Sequence, residues 1–115
     1  MLQLKIKIRP KRIKYLEFSQ SLESLKTDLI KQCASLLITK KNKSFTIITE
    51  LNSIEKLIRF LSSKELILLS GAIRMLTEKP EITIHCAGHQ NKGSDLREIR
   101  LDYLKKQKKQ PFSEI

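Results

Sequence analysis

Apolar and polar residues alternate without a break from Leu2 to Ile8, and changes in that rhythm divide the rest of the chain. Leu2, Leu4, Ile6 and Ile8 fall on one side and Gln3, Lys5 and Lys7 on the other. This is the pattern of a strand with one face on a core. Arg9 and Pro10 end it. Pro10 suits the first position of a helix, where a missing N–H costs nothing. From Pro10 to Ile30 the apolar spacing becomes three and four residues, at Tyr15, Phe18, Leu22, Leu25 and Leu29, with Ile13 and Leu16 widening the stripe.

Two short strands follow, Gln32 to Thr39 and Ser44 to Glu50. They are joined by a polar link, Lys40 to Lys43, in which Asn42 tolerates a left-handed turn conformation. Asn52 to Glu55 matches a capping box and starts a helix with Leu57, Ile58 and Leu61 on its apolar side. Ser62 to Glu65 repeats the capping signature, so another helix begins near Ser63 and runs to about Thr77. It carries Leu66, Leu69, Ile73 and Leu76, while Gly71 and Ala72 keep one side thin enough to sit close on a sheet. Pro80 interrupts, and Glu81 to Cys86 alternates again, with Ile82, Ile84 and Cys86 opposite Thr83 and His85.

The order β-α-β-β-α-β is the split pattern of a ferredoxin-like α+β fold, a four-stranded antiparallel sheet with helices on one face. Residues 1–86 make up this domain. Residues 87–115 read as a basic C-terminal tail. Gly88, Asn91, Gly93 and Ser94 mark a loop or hinge, and Asp95 to about Lys106 forms an amphipathic helix with Leu96, Ile99 and Tyr103 on one side. Lysines at 105, 106, 108 and 109 suit the helix C-terminus, and Pro111 stops it.

A chain of 115 residues with 40% apolar content fits one domain with a real core. No apolar run approaches the roughly 20 residues of a membrane span. Met1 leads straight into the first strand without a secretory pattern, so the expected compartment is the cytoplasm, with no membrane partner. Cys33 and Cys86 are too few for a disulfide framework and read as small buried hydrophobes in strand-like surroundings. His85 and His89 are the only histidines, and nothing stands at metal-ligand spacing from them, so no metal is expected. Charge is the compositional outlier. Lysine and arginine total 23 against 12 acids, a net of +11, which favours anionic partners. The basic residues are scattered, so a solvated surface accounts for most of this excess.

Several short stretches are similar, in order and spacing, to the antibiotic biosynthesis monooxygenase family. They are Ile8–Arg12, Glu17–Leu22, Cys33 ahead of the second strand, Phe45–Glu50, Ser53–Leu57, Phe60–Glu65, Ser70–Ala72 and Pro80–Ile84. The resemblance covers about residues 2 to 86. It implies a dimeric α/β barrel, in which two subunits set their open sheet faces together. It also implies a cofactor-independent oxygenase of a small aromatic or quinol-type substrate, held in a pocket between sheet and helices. No cofactor is expected. The chain departs from the family at two positions: the tryptophan common after the third strand is Leu51, and the histidine common in the middle helix is Phe60. Haem-degrading relatives rely on an Asn, Trp and His set that has no counterpart here.

The uniformly apolar positions of the first and fourth strands belong under the helices. Gln3, Lys5, Lys7, Thr83 and His85 then lie on the opposite face, where a dimeric barrel places its second sheet or a pocket. Lys5, Lys7 and Thr83 are the candidate ligand-binding residues for an anionic or phenolate ligand. His85 is the candidate general base, because an unperturbed imidazole changes charge near neutral pH. The bland alternative has the lysines reaching solvent at a rim and His85 bonded to backbone. Tyr15 reads as core packing, Asn52 as a helix cap, and Arg59 and Arg74 as exposed helix residues. No Gly-rich phosphate loop, nucleophile elbow or paired-carboxylate constellation is present.

Two further readings stand beside the oxygenase. One is a non-catalytic homodimer that keeps the barrel and binds a small ligand. Leu37 and Ile48 favour a dimer, because they put apolar groups on the uncovered face. The other is nucleic-acid binding through the basic tail, which lacks a stacking platform, a helix-turn-helix or a zinc signature.

Overall fold

The alternation of Leu2 to Ile8 survives intact in three dimensions. Strand β1 (Leu2–Ile8) buries every second residue and lies at the centre of the sheet. The structure is a computed structural model, and it describes residues 2–86 and 89–113. After β1 come a short 3-10 turn (Arg12–Lys14), α1 (Tyr15–Ile30), β2 (Ser35–Lys41), β3 (Ser44–Leu51), α2 (Ile54–Leu61), α3 (Lys64–Leu76), β4 (Glu81–Cys86), β5 (His89–Gly93) and α4 (Leu96–Ser113). The strand order is β2-β3-β1-β4-β5, and each neighbouring pair is antiparallel. The architecture is therefore α+β and ferredoxin-like, as the hydrophobic rhythm predicts.

The sheet has five strands, not four. Asn91, Gly93 and Ser94 read as hinge residues in the sequence, and Gly88, the fourth such residue, lies outside the described residues. The segment is a strand because β4 leaves an open edge of N–H and C=O groups, and backbone pairing there requires no apolar alternation. Ile82 pairs with Gly93, Thr83 with Lys92 and His85 with Gln90. Gly93 also meets a packing demand. A Cβ at this position would lie 2.9 Å from Cδ1 of Ile99, so α4 rests directly on the bare backbone.

Pro10 does not open α1. The backbone stays extended past β1 and laces to the end of α3: Lys11 N–H donates to the Leu76 carbonyl at 2.9 Å, and Glu78 N–H donates to the Arg9 carbonyl at 2.9 Å. Pro10 needs no donor in this arrangement, in which it faces Thr77. With α1 starting at Tyr15, Phe18, Leu22 and Leu29 are buried, whereas Ile13 is 85% and Leu16 67% exposed. Leu16 lies one residue, or roughly 100°, around from Tyr15, and so misses the core stripe.

The hairpin between β2 and β3 turns through Asn42 and Lys43, both left-handed at φ 51° and 63°, as a two-residue connection with right-handed strand twist requires. Ser53, not Asn52, caps α2; its hydroxyl accepts from the Lys56 N–H at 3.2 Å. Asn52 is exposed one position earlier. Ser63 caps α3 in the same way by accepting from Leu66 N–H. Gly71 does not allow close packing, because a Cβ there would meet open space. Close packing of α3 comes instead from Leu66, Leu69, Ser70 and Ile73, all buried.

The helices cover one face of the sheet. Leu4, Ile6, Ile8, Ile82 and Ile84 meet Phe18, Leu57, Phe60 and Leu69 in a single core. Phe45 packs 5.5 Å from Phe18 and 5.7 Å from Tyr15, centroid to centroid. Tyr15 is core packing, and Lys40 caps its ring at 4.9 Å. Leu96, Ile99 and Tyr103 of α4 join the same core, and the Asn91 amide donates to the Tyr103 hydroxyl at 3.0 Å. The helix continues through Pro111 to Ser113, beyond the stop that proline predicts. So near a helix end, proline removes one backbone hydrogen bond without ending the element. Cys33 lies in the turn ahead of β2 and not on a strand. Its thiol donates to the Leu29 carbonyl at 3.4 Å, and burial raises its pKa.

Candidate functional site

The side chains that alternate with the core residues build the other face of the sheet. Register fixes their neighbours. Gln3 is opposite His85, Lys5 is opposite Thr83 and Lys7 is opposite Glu81. On the other side of β1, Lys5 is opposite Ile48, which is in turn opposite Leu37. Directly opposed residues have Cβ atoms roughly 5 Å apart. One row therefore runs Leu37, Ile48, Lys5, Thr83, Lys92 across all five strands, and it is apolar at one end and cationic at the other.

Lys5, Lys7, Thr83 and His85 line a single concavity of about 630 Å³ on this helix-free face. All four predicted site residues are thus brought together. The pocket expected between sheet and helices is a different matter. Beneath α1 and α2 the layer is closed to solvent, with Leu4, Ile6, Phe18, Leu57 and Phe60 each 0–2% exposed, and between the sheet and α4 lies a smaller concavity of about 250 Å³ lined by Ile84, Asn91, Ile99 and Tyr103.

Three lining residues escaped sequence reasoning. Gln90 and Lys92 come from β5, and Lys79 comes from the link before β4. The signal for the first two was Thr83 and His85, which present an edge where a partner strand places Lys92 and Gln90 alongside. With Lys5, Lys7, Lys79 and Lys92 against a single acid, Glu81, the lining is strongly cationic. Lys7 and His85 are exposed, and Lys5 and Thr83 are half-buried. The lysines hold no carboxylate within salt-bridge distance among the described residues. The arrangement can therefore attract and hold an oxyanion, with an imidazole within reach of it and the Leu37–Ile48 strip beside it.

Leu51 and Phe60, where tryptophan and histidine stand in the resembling family, are 1% and 2% exposed and sit in the core. Arg59 and Arg74 are exposed on their helices. Among the described residues, no group of three or more His, Cys, Asp or Glu could hold a metal ion. None of the described helices is long and apolar enough to cross a membrane.

Comparison of this architecture with solved structures gives consistent matches. The crystal structure of an antibiotic biosynthesis monooxygenase superposes with a TM-score of 0.69 at 13% identity, over 76% of this chain and 98% of that one. The fold is that of the antibiotic biosynthesis monooxygenases. The Mycobacterium tuberculosis protein Rv0793 gives 0.69 at 11% identity, covering 74% of this chain and 92% of its own. A conserved protein from Methanosarcina mazei Go1 gives 0.66 at 18% identity, over 73% and 89%. About a quarter of this chain lies outside each match. No protein-family model matches the sequence, and no curated protein matches it. The likeness to the monooxygenases is thus one of fold.

Proposed function

We propose that the chain forms a homodimer through its helix-free sheet face and oxygenates a small phenolic or quinol-type substrate in the concavity on that face. The observation that carries this reading is the convergence of Lys5, Lys7, Thr83 and His85 on one 630 Å³ space. A volume of this order suits a polycyclic ligand. The lysine ammoniums stabilise a phenolate, Thr83 offers a hydroxyl, and His85 takes the proton that forms the anion. One atom of O₂ then becomes the oxygen on a ring carbon, and the other leaves as water with two hydrogens, one from that carbon and one from the phenol hydroxyl. The electrons come from the substrate itself. A second sheet laid over Leu37 and Ile48 would bury their apolar surface and close the space to solvent.

Aerobic incubation with a panel of quinols and polycyclic phenols should consume oxygen, and His85→Ala should slow turnover about 10²- to 10⁴-fold. Light scattering at micromolar concentration should give twice the mass of one chain. Absence of turnover across the panel would sink the oxygenase reading.

A second reading, a ligand-binding dimer without catalysis, is favoured by the burial of Leu51 and Phe60 in the core. These positions then contribute packing and no polar group. Saturable binding of the same phenols without oxygen uptake distinguishes it.

A further inference from the structure

A second concavity lies on the other side of the molecule, between α3 and α4, and its chemistry differs from that of the sheet face. It encloses about 350 Å³, with Leu61, Leu66 and Leu96 in its apolar lining and Arg74, Arg97 and Arg100 around them. Three of the chain's six arginines, at positions 9, 12, 59, 74, 97 and 100, therefore meet at one groove. Among the described residues no carboxylate lines it and none of the three guanidiniums forms an ion pair. Arg97 and Arg100 stand three residues apart, one turn of α4. Arg74 faces them from the last turn of α3. The Nε of Arg100 is buried without an acceptor, and a desolvated donor of this kind is costly until an oxyanion supplies the missing partner. Guanidinium groups are the side chains best shaped for a planar carboxylate.

We infer that the α3–α4 groove binds an organic carboxylate with an apolar body, its head on Arg74, Arg97 and Arg100 and its body on Leu61, Leu66 and Leu96. The volume falls in the range of small-molecule sites, roughly 300–1,000 Å³, and corresponds to about a dozen water volumes of ~30 Å³ each. A medium-chain fatty acid or an arylalkyl acid has that size. The groove exists only because α4 follows the sheet, so α4 here builds a site as well as covering β5.

Gly71 supplies the decisive variant. It lines the groove, and a Cβ there meets nothing within 4 Å. Gly71→Leu therefore fills the space while improving helix propensity. The probe is decanoate, titrated into the full chain and followed by backbone amide resonances. Saturable shifts should appear on Ser70, Gly71 and Leu96, and methyl decanoate should bind at least about ten-fold more weakly for want of the charged hydrogen bonds. Arg74→Gln and Arg100→Gln should each weaken decanoate by about ten-fold. Gly71→Leu should abolish binding with the melting temperature held or raised. Lys5→Gln, on the opposite face, should leave decanoate binding unchanged, which separates this groove from the sheet-face concavity. Lack of saturation, equal affinity for acid and ester, shifts confined to the strand residues around His85, or full binding by Gly71→Leu would each overturn the inference.

Discussion

The two faces of this sheet are made by the same strands and differ in almost every other respect. On β1, Leu4 and Ile6 are each 1% exposed, whereas Lys5 is half-buried and Lys7 exposed. On β4, Ile82 and Ile84 are buried and His85 is exposed between them and Cys86. The period of two separates the residues that fold the protein from those free to meet a ligand or a partner. Substitution on one face can therefore leave the other nearly untouched.

That separation can be broken, and the largest effect belongs to the covered face. Leu4→Ala should cost about 3–5 kcal/mol in denaturant unfolding, as a cavity in a rigid core does, while Lys5→Ala should stay within about 0.5 kcal/mol. A large loss for Lys5→Ala would mean that the open face contributes to folding. Next in size is Ile48→Lys. It places a further cation beside Lys5 and Leu37 and should turn the proposed dimer into a monomer by light scattering, since a buried unpaired charge opposes association. Gly71→Ala should raise stability by about 1 kcal/mol, because the glycine serves no close approach and only lowers helix propensity.

The smallest effect concerns pH. Burial raises the Cys33 pKa in the folded chain, so the folded state holds its proton more tightly than the unfolded state. That contribution is fully present below the ordinary thiol value, about 8.5, and is lost as pH rises through the folded value. Unfolding midpoints should fall above that range, and less so in Cys33→Ser.

The parts of the fold that were legible in the sequence are those where period alone decides. The alternation of Leu2 to Ile8, the stripe from Phe18 to Leu29, the paired helices after Ser53 and Ser63, and the strand Glu81 to Cys86 are all written locally. Strand β5 was not, because its partner is a backbone edge and its own residues are turn formers. Ile13 and Leu16 are apolar and widen the stripe in the sequence, but where α1 starts determines which way they point. The Lys5, Lys7, Thr83 and His85 cluster was legible from strand parity, because a ferredoxin-like order makes β1 and β4 neighbours. Gln90 and Lys92 were hidden with β5. The arginine groove was hidden for a different reason. Arg74 and Arg97 are far apart in sequence, and only the path of α4 across the helix layer brings them together. Arg97 and Arg100, with Leu96 beside them, were the one local hint.

The strand order leaves two free sheet edges, and they are guarded by different means. Strand β2 ends in Lys40 and Lys41, charged residues that must be desolvated before another strand can pair there. Strand β5 has five residues and includes Gly93, too short and too weakly β-forming to template a growing ladder. Edge-to-edge addition, the route by which sheets aggregate, is thus discouraged at both ends. Association is left to side chains meeting face to face, where shape and charge can choose the partner.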